Sequence, residues 1–235
     1  MCGIAGIILL ERSRTLKELR EIKRIARSLL LELEKRGTDS SGIAVINRDY
    51  IWLLKQPVKA GVFVNTPSFN NMLGRITNST KGILLHARAA TQGSRENNKN
   101  NHPIATGDII GVHNGIIYND NEIFRNFRQH FVRKAEVDSE AIFRLINHYL
   151  KNDSFNDIKS IKKALKKLRG SMAVAFIDVF NVRTFYLYTN SICTPITLAY
   201  IPRLDIFVFA SRKEYIKRST KRHRRKKRKP FQRVW

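Results

Sequence analysis

Cysteine is scarce in this chain, with two residues in 235. That excludes a disulfide-stapled scaffold and any Cys-rich structural zinc module. Acidic residues are also few: nineteen stand against forty-four Lys plus Arg, for a formal charge of +25. An imbalance of that size points to a polyanionic partner such as nucleic acid, an anionic membrane or an acidic protein surface. No apolar run approaches 18 residues, which excludes a membrane-spanning helix. Met1-Cys2-Gly3-Ile4 carries no basic stretch ahead of its apolar run, so no secretory signal is expected. A cytoplasmic, reducing setting follows. The six histidines show no paired spacing with cysteines or carboxylates, so no metal site is expected. No P-loop or GxGxxG nucleotide-binding loop occurs either.

Core material is ample. The apolar fraction of 43% beside 27% charged residues suits a globular protein with a sizeable interior. The charge is uneven, because residues 216–235 hold eleven Lys or Arg and no acid. Like charges at that density cannot build a core. We therefore expect a folded domain over 1–215 and a basic, disordered tail over 216–235. The tail's Arg222, Arg224, Arg225, Lys226, Lys227, Arg228 and Lys229 are the expected polyanion contacts.

Within 1–215 the pattern is mixed. Gly3 to Leu10 suits a buried strand. Thr15 to Arg36 carries Leu16, Leu19, Ile22, Ile25, Ala26, Leu29, Leu30 and Leu33 at helical spacing, which predicts a long amphipathic helix. Strands are expected at 42–46, 50–55, 82–87 and 108–113, then helices at 139–151 and 157–168. The second of these helices presents Lys159, Lys162, Lys163, Lys166 and Lys167 on its open face. Further strands are expected at 172–178, 183–188 and 206–210. Strands, helices and strands again argue for an α+β fold rather than a regular βαβ alternation.

Cys2 is the first candidate for chemistry. Loss of Met1 would leave it N-terminal, with an α-amine of pKa roughly 7.7–8.0 as a general base beside its own thiol. Taken alone, a cysteine is more often a small buried hydrophobe, and Cys193 reads as a packed or incidental thiol. Asn114-Gly115 alone reads as a hairpin turn. Asp138 alone reads as a helix N-cap, Arg36 as a C-terminal helix cation and His102 as a loop residue.

In order along the chain, however, stand Met1-Cys2-Gly3-Ile4, Arg36-Gly37-Thr38-Asp39-Ser40-Ser41-Gly42, His86-Ala87-Arg88-Ala89-Ala90-Thr91-Gln92-Gly93, Asn101-His102-Pro103, His113-Asn114-Gly115-Ile116-Ile117 and Asp138-Ser139-Glu140. This series resembles the class II glutamine amidotransferases of the N-terminal-nucleophile hydrolase superfamily, and most of all the glutaminase domain of glucosamine-6-phosphate synthase. The likeness extends through Leu168-Arg169-Gly170-Ser171 and Phe209-Ala210-Ser211.

The resemblance implies a four-layer αββα sandwich and no cofactor. It implies that Cys2 attacks the side-chain amide of L-glutamine, that Asn114 and the Gly115 N–H hold the oxyanion, and that Arg36 organises the nucleophile loop. Arg88 would clamp the substrate carboxylate and Asp138 its ammonium, with Thr91 and His102 lining the pocket. Two positions depart from the synthase pattern: Ala89 replaces a tryptophan and Gln92 a histidine. With no isomerising domain expected in the chain, the ammonia acceptor would be a separate synthase. The alternative is a catalytically idle protein of the same fold, bound by its basic surface and tail to nucleic acid or an acidic assembly. Retention of Met1 would leave the site inactive.

Overall fold

The computed structural model describes residues 2–152 and 157–221. Its helices and strands sort by hydrophobic period into four layers. The first sheet contains β1 (Gly3–Leu9), β2 (Ser40–Asn47), β3 (Ile51–Gln56), β4 (Thr80–Arg88), β9 (Thr197–Ile201) and β10 (Ile206–Ala210), in the order β3-β2-β4-β1-β10-β9. The second contains β5 (Ile104–Thr106), β6 (Ile109–Ile117), β7 (Gly170–Asp178) and β8 (Asn181–Thr189), in that order. Every strand pairing is antiparallel.

Alternation along each strand assigns its two faces. Ile4, Ala44, Ile46 and Leu84 of the first sheet meet Ile110, Val112, Ala173, Ala175 and Ile177 of the second in one buried cluster. Ala5, Ile7, Ile43, Val45, Ile83 and Leu85, the intervening positions, turn outward onto the helices. There they pack on α1 (Leu16–Leu33), α2 (Ala60–Phe63), α3 (Pro67–Gly74) and α7 (Lys213–Thr220). The outer face of the second sheet is covered by α4 (Asp120–Asn126), α5 (Ser139–Asn152) and α6 (Asp157–Leu165). The layers run αββα.

The long helix forms where its stripe predicts. Thr15 and Glu18 make a reciprocal capping box, which supplies partners for orphan N–H groups of the first turn. Leu19 through Leu33 of the stripe are buried, whereas Leu16, in the uncovered first turn, is 72% exposed. The lysines expected on the open face of the helix at 157–168 are all exposed, but α6 ends at Leu165 and Lys166 and Lys167 lie in the turn after it.

Three expectations change. The strand expected at 108–113 continues to Ile117, so Asn114-Gly115 is no hairpin turn: it lies in β6 opposite Ala173 and Met172. Helices α2 and α3, in a segment left unassigned, close the bottom of the first core through Phe63 and Phe69. The domain boundary moves as well, because α7 runs across Tyr215 and buries Tyr215, Ile216 and Ser219. The folded unit therefore reaches at least Thr220. The tail residues from Arg222 onward lie outside the described residues.

Candidate active site

Strand parity carries the chemistry to one place. Cys2 shares the inward parity of Ile4, Arg88 that of Leu84, and Asn114 that of Ile110 and Val112. Gly3 pairs with Ala87, so Cys2 and Arg88 lie at the same end of β1 and β4. Asn114 faces them from the second sheet. A cavity of about 150 Å³ opens at this end of the sandwich. It is lined by Cys2, Ala89, Thr91, Asn114 and Gly115 together with Ile116, Tyr118, Ser171, Cys193 and Thr194.

The Cys2 segment is held by its backbone. Arg36 Nε donates to the Cys2 carbonyl at 2.7 Å. The Ser211 hydroxyl accepts from the Ile4 N–H at 3.0 Å and lies 3.2 Å from the Ile4 carbonyl. The thiol itself donates to the Ala89 carbonyl at 3.4 Å. Burial pushes the Cys2 pKa up; the Arg88 charge opposes that shift and the Asp138 charge adds to it.

Opposite the thiol, the Asn114 side chain is 1% exposed, and neither its Oδ1 nor its Nδ2 has a hydrogen-bond partner. A buried amide left unpaired costs about 1–3 kcal/mol, a cost that a folding requirement does not explain. Gly115 adopts φ +147°, and a Cβ there would lie 1.9 Å from the Ser171 carbonyl oxygen. Only glycine permits this backbone geometry, with β6 pressed against β7.

The remaining expected residues stand behind the cavity wall. Arg88 is 2% exposed; its guanidinium donates to Asn101 Oδ1 at 2.9 Å and to the carbonyls of Gln92 at 2.5 Å and Gly93 at 2.8 Å. Asp138 precedes α5 as expected, but one carboxylate oxygen accepts the Ile117 N–H at 2.6 Å, tying α5 to the end of β6. The other accepts from the Ser139 hydroxyl at 3.3 Å. Asp39, within the Arg36 motif, accepts the Ala90 N–H at 2.7 Å and so holds the loop that follows Arg88.

His102 is the clear departure: it does not line the cavity. It is buried and stacked on His86, ring centroids 4.2 Å apart, with both ring nitrogens unpartnered. Gly42 admits this segment, since a Cβ there would meet the His102 carbonyl at 1.9 Å. His86 Nε2 contacts the His113 carbonyl at 3.0 Å, and His113 Nδ1 lies 2.7 Å from the Ser139 hydroxyl. Burial keeps all three neutral: His86 is pushed down to about 3, His102 well below its usual value, and His113 downward with Asp138 in opposition. Uncharged imidazoles can fill space behind the site without adding positive charge to it. Cys193, expected as a packed or incidental thiol, is exposed rather than packed and lines the cavity. No sequence signal set it apart. Among the described residues no three His, Cys, Asp or Glu side chains could hold a metal ion, and no helix is long and apolar enough to cross a membrane.

Comparison with known proteins gives the family and the fold. Residues 86–218 match the family described as "Glutamine amidotransferase domain". The chain is 35% identical over 192 residues to a glutamine–fructose-6-phosphate aminotransferase (isomerizing) of Pyrobaculum aerophilum, covering 81% of this chain and 30% of that protein. It is 30% identical over 191 residues to the protein of the same description from Geobacillus kaustophilus, covering 81% and 29%. The chain thus spans about 30% of the length of these relatives. Among solved structures, the glutamine phosphoribosylpyrophosphate amidotransferase of B. subtilis superposes with a TM-score of 0.71 at 20% identity. That match covers 93% of this chain and 43% of the other.

Proposed function

The chain belongs to the glutamine amidotransferase domain family, and on that premise we propose that it hydrolyses L-glutamine to glutamate and ammonia through a thioester on Cys2. The observation that carries the reading is the unpartnered Asn114 amide facing the cavity of Cys2. Donors kept free of intramolecular partners are what an oxyanion requires, because they need no rearrangement as charge develops.

With Met1 removed, the α-amine of Cys2 takes the thiol proton and the sulfur attacks the side-chain carbonyl of glutamine. That thiol's raised pKa makes the adjacent base necessary. The tetrahedral oxygen lodges between Asn114 Nδ2 and the Gly115 N–H. Collapse expels the amide nitrogen, which takes the proton back and leaves as ammonia, and water then cleaves the thioester. Arg88 serves the substrate carboxylate by exchanging a loop carbonyl for it. Asp138 serves the ammonium from the end of β6, Thr91 contributes at the wall, and Arg36 keeps the Cys2 backbone in place. The ammonia passes to a separate synthase active site.

A second reading draws on the charge of +25 and the exposed lysine row of α6 and the turn after it. The protein would then be a basic component bound to nucleic acid or an acidic assembly, through the tail and this row, whether or not it is also catalytic.

The test is ammonia release together with labelling by a glutamine-mimicking electrophile, on protein shown by mass spectrometry to lack Met1. We expect one label on Cys2, and complete loss of both signals in Cys2→Ala. An unlabelled Cys2 in processed protein refutes the enzyme reading.

A further inference from the structure

The two cysteines of this chain are 191 residues apart in sequence, and both line the one small cavity at the nucleophile. Both are free thiols. We propose that Cys193 is a redox-active modification site of that cavity, forming a reversible disulfide with Cys2 in response to hydroperoxides.

The two thiols are presented differently. Cys2 is the fixed partner, half-buried, with its carbonyl held by Arg36. Cys193 sits in the turn between β8 and β9, outside any strand. That turn is hydrogen-bonded on both sides of Cys193: the Cys193 N–H donates to the Ser191 hydroxyl at 3.1 Å, and the Ser191 carbonyl accepts from the Thr189 hydroxyl at 3.2 Å. Thr194, the next residue, is 2% exposed; its carbonyl accepts from the Thr189 hydroxyl at 2.7 Å, and its own hydroxyl lies 3.4 Å from that of Ser171. On the other side Ile192 is 96% exposed. Cys193 is therefore the more exposed thiol, which a solvent oxidant meets first, while Cys2 is half-buried. A disulfide needs Cα atoms about 4.4–6.8 Å apart. The flanking strands end at Thr189 and begin again at Thr197, so any closing movement falls within the turn between them and leaves the sheet pairings undisturbed.

The chemistry balances in two steps. The Cys193 sulfur attacks the hydroperoxide, an S–O bond forms as the O–O bond breaks, and water or an alcohol leaves, giving the sulfenic acid. The Cys2 sulfur then attacks the Cys193 sulfur. An S–S bond forms, the S–O bond breaks, and the departing hydroxide combines with the Cys2 thiol proton as water. The oxidant is reduced and the two thiols are oxidised by two electrons. Reduction by an external thiol reverses the bond. The consequence for activity rests on the glutaminase reading, since a Cys2 held in a disulfide cannot attack glutamine. The cross-link itself does not.

The experiment treats the full chain with a small excess of hydrogen peroxide, maps its peptides without reduction, and measures ammonia release before and after dithiothreitol. We expect a Cys2–Cys193 linked peptide, more than tenfold loss of activity, and recovery on reduction. In Cys193→Ser, activity is scaled to that variant's own reduced state. With no sulfenic acid formed at position 193, its Cys2 should form no linked peptide, and the variant should keep most of its activity through a treatment that inactivates the wild type; equal loss in the variant overturns the proposal. Separate oxidation of the two cysteines with no linked peptide, or linkage only between chains, overturns the proposal. A linked peptide in protein that never releases ammonia upholds the disulfide and sinks the glutaminase reading instead.

Discussion

Replacing Asn114 with alanine should separate catalysis from stability in opposite directions. The wild-type amide is 1% exposed and unpartnered, so the folded protein carries a desolvation cost of about 1–3 kcal/mol for it. Truncation removes that cost, and the space it opens joins the existing cavity rather than forming a closed void. The lost side-chain contacts offset part of the gain, which leaves a net stabilisation on the order of 1 kcal/mol. For a domain of this length that is a rise in Tm of about 2–4 °C. Catalysis moves the other way. Loss of one oxyanion donor raises the barrier by about 2.7–4 kcal/mol, or roughly 10²–10³ in kcat. Because the donor engages the developing oxyanion more than the ground-state carbonyl, KM should change by less than about threefold. Thermal melts and an ammonia-release assay on the same preparation give both readings. A rise in KM with kcat intact would make Asn114 a substrate-binding residue, and a fall in Tm beyond about 4 °C would show that its amide supports the fold.

Acid should unfold the protein through its buried histidines. His86 has its pKa lowered to about 3 from a usual 6.5, so the unfolded chain binds the proton and the folded one resists it. Its stabilising contribution is complete above about pH 6.5 and is lost as pH falls from there toward 3. The loss from this residue alone reaches about 1.4 kcal/mol by pH 5.5. Urea midpoints between pH 7.5 and 5 should therefore fall, and fall less steeply in His86→Leu; parallel profiles would place the acid sensitivity elsewhere. Deleting residues 222–235 should leave glutamine hydrolysis within about twofold and weaken binding to a nucleic-acid probe, with a shallower dependence on salt. Unchanged binding would make the tail a solvated appendage.

What was legible in the sequence follows from periodicity. The α1 stripe and the alternation in 3–10, 82–87 and 172–178 depend on local spacing, and each produced its element. The same alternation fixes which side chains enter the space between the sheets. The grouping of Cys2, Arg88 and Asn114 came instead from the resemblance of the ordered motifs to the glutamine amidotransferases, before any distance was known. Segments without a strong local period were not legible. Helix α2 is four residues long and α7 is basic on its exposed side; each owes its position to the core it covers, so Tyr215 looked like an end when it is an anchor.

The less visible part of the site is set by closure between distant segments. His102 is polar and precedes a proline, a local signature of an exposed loop, yet it is buried against His86 because Gly42 lets its backbone approach. Arg88 reads as a free clamp, but Asn101 and two loop carbonyls already occupy its guanidinium. Substrate must therefore exchange partners with the loop rather than meet an open cation. Cys193 has no motif around it; only the pairing of β8 with β7 and of β9 with β10 returns its turn to the nucleophile. The resemblance of the ordered motifs identified the candidate groups. The order in which they become available to substrate or oxidant is decided by these long-range contacts.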